Sequence, residues 1–126
     1  MNIDVKALTT YRISEDGESA SLRVMDDAGV ETSLNFGIDD LANILMTLPG
    51  LIEAALQRRY QDAAFRFAYP IGSWSIEEAS DAGSLIVTLR TSDGFGVSFS
   101  MGSGKAEKLG TSLAASVTPR DPAVAH

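Results

Sequence analysis

Residues 11–37, Y-R-I-S-E-D-G-E-S-A-S-L-R-V-M-D-D-A-G-V-E-T-S-L-N-F-G, decide how this chain is read. The pattern returns at 74–102 as W-S-I-E-E-A-S-D-A-G-S-L-I-V-T-L-R-T-S-D-G-F-G-V-S-F-S-M-G. Tyr11, Ile13, Leu22, Val24, Gly29, Leu34, Phe36 and Gly37 align with Trp74, Ile76, Leu85, Val87, Gly94, Phe99, Met101 and Gly102, provided two extra residues are admitted before the second turn. Within the first copy, Ala20, Leu22 and Val24 alternate with Ser21, Arg23 and Met25, and Thr32, Leu34 and Phe36 alternate with Ser33 and Asn35. A period of two with one apolar side is the signature of strands that have one dry and one wet face. E-D-G and D-D-A-G supply the turns, so 5–13, 18–26 and 30–36 read as an antiparallel meander.

Beyond Gly37 the period changes. Leu41, Ile44, Leu45, Leu48, Leu51, Ile52, Ala55 and Leu56 recur at spacings of three and four, which predicts a helix with one apolar stripe. Asp39 and Asp40 fall in its first turn and Arg58-Arg59 near its end, each sign suited to the helix dipole there. Pro49-Gly50 predicts a kink or two short helices, because proline removes a donor and crowds the preceding turn. The second copy opens near 67–76, with Pro70 marking an edge or a bulge. It closes on a helix with the stripe Ala106, Leu109, Leu113, Ala114 and Val117, with Ser103 as candidate cap.

The expected fold is therefore α+β and two-layered. A duplicated β-β-β-α unit forms a six-stranded antiparallel sheet, with two helices on one face. It is one domain over 1–118, built of pseudo-repeats at about 5–62 and 67–118, with a disordered tail at 119–126.

Composition narrows function mainly by exclusion. The net charge is −7 over 126 residues, and no basic stripe offsets it. Such a field repels nucleic-acid phosphates and anionic lipid. The open sheet face offers Arg23 and Arg90 but also Glu31 and Glu78, so nucleic acid ranks last as a partner. The first residues lack the basic start and apolar run of a secretory signal, and no stretch reaches the ~20 apolar residues of a membrane span. Without cysteine there are no disulfides, thiolate nucleophiles or zinc-thiolate sites, in keeping with the cytoplasm.

Catalytic patterns fare no better. M-G-S-G-K at 101–105 approaches a phosphate loop, yet Phe99 stands where its first glycine belongs and Ala106 where a magnesium-binding hydroxyl belongs. Gly94-Phe95-Gly96 lacks the third glycine of a dinucleotide fingerprint. The single histidine, His126, ends the chain, where nothing orients an imidazole. The pairs Glu15-Asp16, Asp26-Asp27, Asp39-Asp40 and Glu77-Glu78 are assigned to turns and helix starts, and no metal or cofactor is expected.

What remains is a non-enzymatic binding or assembly protein, a homo-oligomer and most simply a dimer, acting through an open sheet face or an edge strand. A small-ligand protein is the alternative, with a pocket between sheet and helices. Trp74 and Tyr11, taken as equivalent, would flank it, or Gly102, Ser103, Gly104 and Lys105 would offer backbone donors to an anion. An enzyme using carboxylates or a metal ranks below both.

Overall fold

A computed structural model describes residues 1–81 and 83–117; the tail expected at 119–126 lies outside them. The chain divides into two compact units, Met1–Phe67 and a second that begins at Ala68. In the first, β1 (Val5–Ile13), β2 (Ser19–Asp26) and β3 (Glu31–Gly37) lead into α1 (Ile38–Tyr60). In the second, β4 (Ser73–Glu78), β5 (Ser84–Arg90) and β6 (Gly96–Gly102) lead into α2 (Ser103–Ser116). The α+β class and the duplicated β-β-β-α unit are thus present. Within the units the ladders are two three-stranded antiparallel sheets, ordered β1-β2-β3 and β4-β5-β6.

The repeat is more regular than its sequence suggests. Four backbone bonds recur at the one offset that takes Gly29 to Gly94: Ser14 N–H to Ser19 O with Ala79 to Ser84, Asp26 to Val30 with Thr91 to Phe95, Gly29 to Asp26 with Gly94 to Thr91, and Ile38 to Glu18 with Ser103 to Gly83. No extra residues are needed before the second turn. Tyr11 pairs with Leu22 as Ile76 pairs with Val87. Trp74, opposite Leu89, corresponds to Leu8, opposite Val24. The equivalence of Tyr11 and Trp74 is therefore wrong by one cross-strand pair. Sequence matching followed the aromatic rings, whereas the ladder follows hydrogen bonds.

Local chemistry explains each turn. Asp26 Oδ1 accepts the amides of Ala28 at 3.0 Å and Val30 at 2.8 Å. At the matching corner, Thr91 Oγ1 accepts the Phe95 amide at 3.2 Å and donates to the Asp93 carboxylate. Gly29 and Gly94 take φ of 82° and 98°, where a Cβ is strained. β4 begins at Ser73, after Pro70 and later than expected, although Gly72 N–H still donates to Arg90 O at 2.7 Å.

α1 is one helix of 23 residues with Pro49 inside it, in place of two short ones. Its end is a Schellman closure: Gln61 at φ 52° donates to Arg58 O, and Asp62 donates to Gln57 O. The chain then folds back on the last turns, with Gln57 Nε2 donating to Phe65 O and Phe67 N–H donating to Glu53 Oε1, both at 2.9 Å. Tyr60 and Phe65 stack obliquely there, with ring centroids 5.3 Å apart. For α2 the cap is Gly102, with no side-chain bond; Ser103 is the first helical residue and not the cap.

Two substitutions separate these backbone effects. Gly29→Ala should cost about 1–2 kcal/mol, because it forces an L side chain into the left-handed region. Gln61→Gly should stabilise by roughly 0.5–1 kcal/mol for the converse reason. Urea midpoints at an unchanged m-value check both signs.

Candidate functional site

Cross-strand partners share a face, so the registers define both sides of each sheet. In the first unit Leu8, Tyr11 and Ile13 stand beside Val24, Leu22 and Ala20, which stand beside Thr32, Leu34 and Phe36. In the second, Trp74 and Ile76 stand beside Leu89 and Val87, which adjoin Val97 and Phe99. These are the faces expected to be core. The middle strand is shielded, with Val24 only 4% exposed, but the outer positions are open: Tyr11 is 69% and Trp74 68% exposed.

The reason lies in the helices. Each meets its own sheet chiefly where it leaves the last strand, α1 at β3 and α2 at β6 and β5. Neither contains a buried residue. Leu45, Leu48 and Leu51 of the α1 stripe and Leu109 and Leu113 of α2 are exposed. The expectation that each helix stripe covers a sheet is not met within either unit: each helix starts directly at the end of its last strand and meets the ladder there.

The opposite faces are polar, with internal hydrogen bonds. Ser21 Oγ donates to Asn35 Oδ1 at 2.5 Å, and the Thr88 and Ser98 hydroxyls lie 2.7 Å apart, Thr88 being 5% exposed. Arg23 and Glu31 approach to 3.6 Å in the open, an ion pair of little energetic weight. Glu77, opposite Ile86, belongs to this side. Glu78 is opposite Leu85 and belongs to the apolar one, correcting its expected place on the polar face.

The anion candidates do not converge with the aromatic one. Gly102, Ser103, Gly104 and Lys105 form the junction and first turn of α2, all exposed. Trp74 lies in register with Val97, and β6 runs roughly 17 Å from there to Gly102 at ~3.4 Å per residue. Tyr69, Ile71, Leu89, Phe95 and Val97 line a shallow apolar depression at the Trp74 end, where the Tyr69 and Phe95 rings lie 5.1 Å apart.

Several aspartates are engaged in turns. Besides Asp26, Asp16 Oδ1 accepts the Ser14 hydroxyl at 2.7 Å and the Glu18 amide at 3.0 Å. Asp62 accepts the Ala64 amide, and Asp81 the Ser84 hydroxyl. Among the described residues no group of three acidic or histidine side chains is placed to hold a metal. No helix among them is long and apolar enough to cross a membrane. Comparison with protein-family models, curated proteins and solved structures finds no match to this chain.

The Ser14 hydroxyl, and then the Glu18 amide, hold Asp16 below the usual aspartate value of 3.8; the Thr91 hydroxyl does the same for Asp93. A depressed carboxylate stabilises the fold above pH 3.8, and the contribution is lost as pH falls through the lower folded value. In an NMR titration, Ser14→Ala should return the Asp16 midpoint toward 3.8 and leave Asp93 unmoved.

Proposed function

We propose that the chain is a non-enzymatic assembly and binding protein that works as a homo-oligomer, most simply a dimer. The carrying observation is the apolar surface each unit leaves open. Leu8, Tyr11 and Ile13 in one unit, and Trp74, Ile76 and Phe99 in the other, remain more than half exposed. Ile44, Leu45, Leu48, Leu51, Leu109 and Leu113 add two helix stripes. At such exposures each side chain leaves on the order of 100 Å² in water, so the three outer residues of one sheet face leave about 300 Å², the scale of a functional patch. Scattered exposed apolar residues are ordinary, whereas rows on one face mark a surface made to be covered.

The same observation shifts emphasis from the polar sheet face to the apolar one. The polar face already pairs Ser21 with Asn35 and Thr88 with Ser98, and burying such groups offers little net gain. The apolar face gains roughly 25 cal/mol for each Å² removed from water. The net charge of −7 limits that association by long-range repulsion while favouring solubility. Asp16 and Asp26, one member each of two candidate carboxylate pairs, are bonded into turns, which favours the non-enzymatic reading.

Light scattering behind a sizing column should give a multiple of the 13.4 kDa chain mass. Ile76→Glu, which puts a charge into the exposed row, should lower the mass toward that of one chain. A wild-type protein that runs as a single chain at every concentration contradicts the reading.

A further inference from the structure

We propose that β6 is a self-pairing edge: two copies join through antiparallel β6 strands, extending the β4-β5-β6 sheet across a two-fold axis at Phe99. The inference rests on the homo-oligomer reading and names its contact. β6 is an outer strand of its ladder, G-V-S-F-S-M-G, without charge, proline or register break. Bare strand edges invite pairing with another chain, and proteins normally blunt them with such features.

The other three edges are blunted. β1 carries Lys6 and Arg12 and has two register shifts. β4 carries Glu77 and Glu78. β3 carries Glu31 and ends at Gly37, where a Cβ would lie 3.3 Å from the Asp40 carboxylate. Centred self-pairing of β3 would set Glu31 opposite Gly37 of the second copy and so near its Asp40, like against like. Centred pairing of β6 sets Gly96 opposite Gly102, with no side chain on either.

Ladder parity supplies the register. Thr91 N–H donates to Phe95 O, and Ser103 N–H to Gly83 O. Between those bonds the hydrogen-bonded partners are Leu89 with Val97, Val87 with Phe99 and Leu85 with Met101. The amides and carbonyls of Ser98 and Ser100 therefore point away from β5, toward the outer side of this ladder. An axis at Phe99 pairs Ser98 with Ser100 of the second copy through both groups. It makes Phe99 face Phe99 as a non-hydrogen-bonded pair, whose side chains approach most closely and favour aromatic contact. The apolar faces of the two copies then lie on one side.

Ser98→Pro removes an outward N–H and, with it, the hydroxyl that meets Thr88. Ser98→Ala, which loses only that hydroxyl, is its control. Ser98→Pro should halve the mass seen by light scattering, Ser98→Ala should not, and circular dichroism should keep its strand signal in both. Ser33→Pro, at the matching site of β3, should leave the mass unchanged. As a second readout, Phe99→Cys introduces the chain's single thiol and should crosslink to a covalent dimer under mild oxidation, while Leu34→Cys should not. A wild-type oligomer that fails to crosslink through Phe99→Cys overturns the β6 contact and leaves the homo-oligomer standing. A wild-type single chain overturns both.

Discussion

A three-stranded sheet with one apolar face must exclude water from that face, and in this chain neither unit supplies the cover from its own helix. The other structural features follow from this constraint. Hydrogen bonding is complete where it is local: the turns close on Asp16, Asp26 and Thr91, and the end of α1 closes on Gln61. Hydrophobic closure is absent where it must be long-range. Among the described residues low exposure on an apolar face is reached at Ala20 and Val24 of the first unit, whereas Thr88 of the second lies on the polar face. Hydrogen bonds contribute about 1 kcal/mol net each and do not hold a small sheet alone. Burial of the apolar rows is the missing stabilisation, and assembly is a direct way to obtain it.

This view also gives the duplication a physical meaning. Two units with the same ladder geometry present two similar apolar faces and two similar outer strands, β3 and β6. They differ in how those strands end. β3 runs from Glu31 into the acidic first turn of α1, whereas β6 runs between glycines into a helix whose first turn contains no acid. The two copies thus differ in charge at the outer strand, β3 being acidic and β6 uncharged.

Much of this fold was legible in the residues. Alternation at 19–26 and 84–90 fixes the strands because the side-chain period of two has few other readings, and the three-and-four spacing from Leu41 to Leu56 fixes α1. The offset between repeats is misread because Tyr11 and Trp74 attract each other in any alignment, and a shift of two residues keeps every strand side chain on its own face. What covers a face was not legible at all. A period reports which side chains share a side, and it is silent on whether that side meets a helix of the same unit or another chain. The β6 edge was readable in principle, since a strand of seven residues with neither charge nor proline is unusual for an outer position.

The most direct test is the thermal midpoint as a function of protein concentration. If a second copy completes the fold, association stabilises the native state by mass action, and the midpoint rises steadily with concentration. A midpoint independent of concentration, with Trp74 emission already that of a buried indole in the single chain, would contradict the account.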